Sequence, residues 1–136
     1  MIKRTKEDYL RAIYHVQEEI KDRKSGVKSV DLCKYLKLSK STVSEMLRKL
    51  MKNGFIEQPT SYGRIKLTKK GFSESVSITK KHRLIEAFLS GILKIRRSDI
   101  HDEAHRLEHA FSNDSINSIA GLIKDTKTCP HGKPIP

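Results

Sequence analysis

From Ser39 to Gly54 the chain reads SKSTVSEMLRKLMKNG, and this stretch restricts the fold more than any other. Val43, Met46, Leu47 and Leu50 recur at helical spacing, so one face is apolar and the rest polar. Ser39 stands before the run as an N-cap, and Asn53-Gly54 closes it where a left-handed backbone is needed. Away from the apolar face lie Ser39, Lys40, Ser41, Thr42, Ser44 and Glu45. Short hydroxyl side chains of this kind let a helix sit deep in a DNA major groove, although they are equally at home as solvated positions.

The neighbours of this helix sharpen the expectation. A first helix over residues 5–20, capped by Thr5, places Leu10, Ile13, Tyr14 and Gln17 on one face. Ser29 is placed to cap a short helix with Val30, Cys33 and Leu36 inward, and LKLS makes a turn into the longer helix. Two short strands follow, Phe55–Gln58 and Arg64–Leu67, around a turn containing Pro59 and Gly63. Two helices, a tight turn and a hairpin amount to a winged helix-turn-helix. Arg48, Lys49 and Lys52 on the helix, with Ser61, Tyr62 and Arg64 in the wing, suit phosphate contacts that position the domain. Charge agrees: residues 1–70 carry a net +10 of the chain's +12, which fits a polyanionic partner for the first part.

The remainder is helical. Thr68 starts a long helix with Phe72, Val76, Leu84, Ile85 and Phe88 inward. Ser98 caps a fifth helix through Ser112, and Asn113 a sixth with Ile116, Ile119, Ala120 and Ile123 inward. The tail TCPHGKPIP, with three prolines, is expected to be irregular. The fold class is therefore mainly α, with a DNA-binding domain over 1–72 and a helical domain over 73–136. No run approaches the roughly 18–20 apolar residues needed to span a bilayer, and no helix has the basic-plus-apolar faces of a membrane-surface segment. The start lacks the apolar run of a secretory signal, and two cysteines make no disulfide framework, so the expected location is the cytoplasm.

Within this second half, HDEAHRLEHAFS packs three histidines and three carboxylates into residues 101–109. On a helix, His101, His105 and His109 form one stripe at steps of four, with Glu108 beside it. His82 and Glu86 make another pair at the same step on the preceding helix. Imidazole and carboxylate together suit Fe(II), Mn(II), Zn(II), Co(II) or Ni(II). His105 to His109 also matches the H-x-x-E-H string of some metalloproteases. A protease needs a cleft and a further ligand that half of so short a chain can hardly supply, so no enzymatic activity is expected. Two readings stay open beside metal sensing: a winged-helix regulator with structural histidines, and a metal hydrolase.

EDYLRAIY, SKSTVSEMLRKLMKNGFI, LTKKG, KKHRLIEAFL, HDEAHRLEHAFS and CPHGKPIP, in this order, resemble the diphtheria toxin repressor family of metal-dependent transcriptional repressors. The resemblance covers nearly the whole chain. It implies a homodimer that pairs through the helical half and binds double-stranded operator DNA when loaded with metal. Carried over by position, one metal site comprises Asp8, His105, Glu108 and His109, and the other His82, Glu86 and His101. The pattern is a hybrid. Asp8 resembles the manganese-sensing branch, but Arg11 stands where that branch has a glutamate, and the His82/Glu86/His101 set resembles the iron-sensing branch. Fe(II) is the expected ion and Mn(II) the alternative, with Zn(II), Co(II) or Ni(II) able to substitute. Many iron-branch members also carry a third, barrel-like domain that completes one site.

Overall fold

The structure is a computed structural model, and it describes residues 3–20, 25–58, 63–123 and 127–136. Its elements are α1 (Lys3–Glu18), α2 (Ser29–Leu36), α3 (Lys40–Lys52), β1 (Ile56–Glu57), β2 (Lys66–Leu67), α4 (Lys69–Gly91), α5 (Arg97–Leu107) and α6 (Asn113–Leu122). They pack as two units, Met1–Val76 and Ser77–Pro136, so the division falls inside α4. None of the described helices is long and apolar enough to cross a membrane.

In the first unit, Leu10 and Ile13 of α1 join Leu32, Val43, Leu50, Ile56 and Ile65 in one core. α1 begins at Lys3, so Thr5 lies inside the helix and is not its cap. α2 is entered from Lys28 in extended conformation with no side-chain cap, which corrects the role expected of Ser29. Its exit explains the tight turn: Lys37 is left-handed at φ 57°, and its amide bonds the Cys33 carbonyl. α3 follows the sequence closely, with the Ser39 side chain accepting from the Thr42 amide at 3.2 Å. Gly54, at φ +80°, lets the Phe55 amide reach back to the Leu50 carbonyl and end the helix.

The hairpin is shorter than the sequence suggests. β1 and β2 pair antiparallel with Ile56 opposite Leu67 and Glu57 opposite Lys66. Ile65 pairs instead with Val27, exchanging two 2.8 Å backbone bonds, so the expected second strand divides between two partners. Thr68 caps α4 as expected: its hydroxyl accepts from the Gly71 amide and donates to the Gly54 carbonyl. Two residues expected inward are exposed, Val30 at 55% and Phe72 at 51%. Phe72 sits against the Tyr14 ring, which is only half-buried itself.

In the second unit, Leu84, Ile85 and Leu89 of α4 pack with Ile100 and Ala104 of α5 and Ile116 and Ile119 of α6. α5 is entered from Arg96, not capped by Ser98, and ends at Leu107, short of the expected Ser112. His109 therefore lies in the turn after the helix, and the three-histidine stripe is broken at its end. Ser112 takes the cap of α6 expected of Asn113, accepting from the Ser115 amide at 3.1 Å. The tail is more ordered than its prolines suggested. Thr128 bridges Pro134, the Cys129 amide bonds the Lys133 carbonyl, and Ile135 packs on the core. Pro134 makes no ladder bond of its own there: the flanking Cys129–Lys133 and Ile135–Lys127 pairs carry the bridge, so the missing proline N–H costs it nothing.

Candidate metal centre and nucleic-acid interface

The exposed face of α3 carries the residues a duplex would meet. Lys40, Ser41, Glu45, Arg48 and Lys49 are exposed and Ser44 is half-buried. Ser39 and Thr42 are partly committed to the helix start, where Ser39 Oγ lies 2.8 Å from Thr42 Oγ1. Glu45 has a local cation, Lys49 Nζ at 3.8 Å. This relieves the oddity of an acid on a basic face, although an exposed pair is worth little. A cavity of about 870 Å³ opens between the start of α2, the outer side of α3 and the base of the wing. Val30, Leu47 and Met51 contribute apolar surface to it, and Lys28, Lys40, Arg48 and Arg64 give it positive charge. Ser61 and Tyr62, expected at the wing tip, lie outside the described residues.

The second unit gathers the metal-type donors into groups. Ligand atoms of His82, Glu86 and His101 lie within 4.8 Å of one another, and so do those of His105, Glu108 and His109. Helix α4 supplies the first two donors at one helical step, and α5 brings His101 opposite them. His82 Nε2 is 3.4 Å from Glu86 Oε1, and His101 Nδ1 is 3.7 Å from Glu86 Oε2. In the other group, His109 Nε2 is 3.3 Å from Glu108 Oε1, and the His105 and His109 rings meet edge to face. Glu108 is fully buried and Glu86 nearly so, whereas His101 is exposed. Asp8 lies half-buried on α1 in the first unit.

Buried carboxylates of this kind need compensation. Burial alone would raise the Glu86 carboxyl, but the imidazoles of His101, His82 and His131 outweigh it and hold Glu86 well below the usual carboxylate range. Even so, Glu86 Oε2 is buried and has no well-directed hydrogen bond among the described residues, although His131 Nδ1 comes within 3.0 Å of it. A buried carboxylate oxygen facing several imidazoles without a well-directed hydrogen bond is the environment a divalent cation satisfies, so the donors fit such an ion.

Sequence reasoning missed one group. The tail turn carries Cys129 and His131 to Glu86, forming a third set of donors within 4.8 Å of one another, with His131 Nδ1 3.0 Å from Glu86 Oε2. His131 sits far along the chain from Glu86, in a proline-rich segment. The Cys-Pro-His spacing was the available signal, since a turn there presents both side chains together.

Comparison with known proteins agrees with this geometry. The family model "Iron dependent repressor, N-terminal DNA binding domain" matches residues 1–62, and "Iron dependent repressor, metal binding and dimerisation domain" matches residues 68–136. The diphtheria toxin repressor of Corynebacterium diphtheriae is 31% identical over 134 residues, covering 97% of this chain and 56% of that protein. An uncharacterised helix-turn-helix-type transcriptional regulator of Methanocaldococcus jannaschii, MJ0568, is 34% identical over 121 residues, covering 89% of this chain and 94% of the relative. Among solved structures, a manganese-dependent transcriptional repressor in complex with manganese superimposes with a TM-score of 0.84 at 34% identity, covering 96% of this chain and 58% of that one. The chain thus spans a little over half the length of the diphtheria toxin repressor. With both family models matched in order along its length, the chain belongs to the iron-dependent repressor family.

Proposed function

We propose that this protein is a metal-dependent transcriptional repressor that binds operator DNA as a homodimer when loaded with a divalent cation, and that it controls metal-homeostasis genes. The observation that carries the reading is the pairing of a winged helix-turn-helix with two buried glutamates, Glu86 and Glu108, each surrounded by imidazoles. Such acids are poor choices for a core and good ones for holding a cation.

His82, Glu86 and His101 would hold one ion, and His105, Glu108 and His109, joined by Asp8, the other. A bound divalent cation supplies the positive charge that lets several carboxylates converge. Because Asp8 belongs to α1, its carboxylate would tie the DNA-reading unit to the helical one. That tie would fix the spacing of two recognition helices, which must reach half-sites about 34–36 Å apart or a multiple of that. Loading then acts by favouring the conformation that fits DNA. Fe(II) is the proposed ion and Mn(II) the alternative, for which the likeness to a manganese-dependent repressor speaks. Zn(II), Co(II) or Ni(II) would substitute.

For the dimer, the second unit exposes Ile92, Leu93, Ile95 and Leu122, and Ile92 and Leu122 line one cavity of about 450 Å³. Four large apolar side chains left to water in so small a unit favour self-association. The reading places the protein in the cytoplasm with its DNA and assigns it no catalytic activity. Its test is anaerobic operator binding at fixed salt with Fe(II), Mn(II), Zn(II) and Co(II), each against a chelator. Tight binding only with metal is expected; equal binding in chelator would refute it.

A further inference from the structure

His82 stands between the two donor groups. It is buried on α4, with Nδ1 2.6 Å from Glu108 Oε2 and Nε2 3.4 Å from Glu86 Oε1. One ring nitrogen therefore addresses the Glu86/His101 group while the other addresses a carboxylate of the His105/Glu108/His109 group. Glu108 is fully buried, and its second oxygen, Oε1, lies 3.3 Å from His109 Nε2.

We infer that His82 is a positioning residue for Glu108, in addition to being a donor in its own group. This rests on the metal-dependent reading above. A terminal carboxylate rotates over a broad, roughly two-fold torsion, so burial alone does not choose which oxygen faces the neighbouring imidazoles. The Nδ1–H of His82 makes that choice by occupying Oε2, which leaves Oε1 to face His109. A bond to a charged acceptor at 2.6 Å is of the strong, short kind. It also joins elements 26 residues apart, since Glu108 lies just beyond α5. An imidazole ligand commonly gives its other N–H to a carboxylate, which fixes the tautomer. Here the receiving carboxylate is itself a donor of the next group, so the two groups share an orienting bond.

Replacements at His82 separate its two functions. In His82→Asn the amide nitrogen falls near the place of Nδ1, which keeps the donation to Glu108 and removes Nε2. In His82→Gln it falls near Nε2, which loses the donation. His82→Ala loses both. All three are made in a Glu86→Ala/His101→Ala background, where the Glu108 group is read alone. Co(II) affinity is followed anaerobically by the visible absorption of the bound ion, with circular dichroism to check folding.

Relative to the background, His82→Ala and His82→Gln are expected to weaken Co(II) binding about 10- to 100-fold, and His82→Asn to recover most of that loss. Co(II) binding undiminished in His82→Ala, or no tighter in His82→Asn than in His82→Gln, would overturn the inference alone. Should His82→Ala not fold, the comparison of His82→Asn with His82→Gln decides. A background protein and an unaltered protein that both bind no Co(II) would overturn the metal-dependent reading and this inference with it.

Discussion

Arg83 donates from Nη1 to the Pro134 carbonyl at 2.6 Å, tying the last residues of the chain to the middle of α4. Arg83 is itself buried. The bond spans 51 residues and helps set the turn that carries Cys129 and His131 beside Glu86. Replacing Arg83 by Met keeps much of the apolar stem and removes the donor. The expected result is faster amide hydrogen exchange at Cys129 and Ile135, and a loss of about 1–3 kcal/mol in stability. Exchange unchanged at both amides would show that the tail is held by other contacts.

Glu86 gives the metal-free protein a pH dependence. Its carboxyl is held below its ordinary value of 4.5 in the folded chain, so the folded state binds fewer protons than the unfolded one in acid. The stabilising contribution is therefore present above about pH 4.5 and is lost progressively as the pH falls below it. Urea unfolding between pH 6 and 3 should show stability falling with acid, and less steeply in Glu86→Gln. An identical slope in the two proteins would remove Glu86 as the source.

Gly71 is required for a different reason. A Cβ built on it would meet the Phe55 carbonyl oxygen at 1.9 Å, because the first turn of α4 lies directly on the start of β1. The Phe55 ring also takes two cations there, with Lys70 Nζ 4.4 Å and Lys6 Nζ 5.0 Å from its centroid. Gly71→Ala should cost on the order of 1–3 kcal/mol in urea unfolding, as overpacking does. Gly54→Ala has open space and meets only its positive φ of +80°, for which about 1–2 kcal/mol is expected.

Most of the fold was legible because the apolar spacing of α1 and α3 is strong and the Asn53-Gly54 stop is local. What misled was local as well. Ser29, Ser98 and Asn113 each have the chemistry of a cap, but chain geometry put Lys28, Arg96 and Ser112 at those positions. Val30 and Phe72 fit a helical pattern yet lie exposed, because periodicity gives a face and not the neighbour that covers it. The donors on α4 and α5 were readable from steps of four. The bond from His82 to Glu108 was not, since nothing in the sequence states that residues 26 apart will meet. The convergence of the tail on Glu86 was hidden for the same reason.

The apolar surface of the second unit makes a prediction about assembly. Leu93→Glu and Leu122→Glu each place a charge on a side chain that is 52% or 63% exposed in the single chain. Folding should survive, since neither side chain belongs to the core. A dimer that buries these positions would lose affinity, because an unpaired charge in an interface is costly. Sedimentation should then show the unaltered protein as a dimer and both variants shifted toward monomer. Metal binding by the isolated donor groups should be retained in both. Dimers of undiminished stability in both variants would place the pairing surface elsewhere.

The basic rim around α3 can be tested through salt. Arg48 is exposed on α3 and lines the cavity beside Lys28, Lys40 and Arg64, where a phosphate backbone would find matching charge. A cation that neutralises one phosphate releases about one counterion, so its removal should lower the slope of log affinity against log salt by about 0.9 for each subunit bound. Arg48→Ala is expected to weaken binding to every sequence by a similar factor and to leave operator preference intact. Ser41→Ala and Ser44→Ala should behave in the opposite way. Their hydroxyls carry no charge, so the salt slope should hold while discrimination between operator and random duplex falls, by about 1–3 kcal/mol if a base contact is lost. If instead Arg48→Ala relaxed sequence preference and left the slope unchanged, the division of labour along α3 would be reversed. The helix would then read bases through its guanidinium and use its hydroxyls for position.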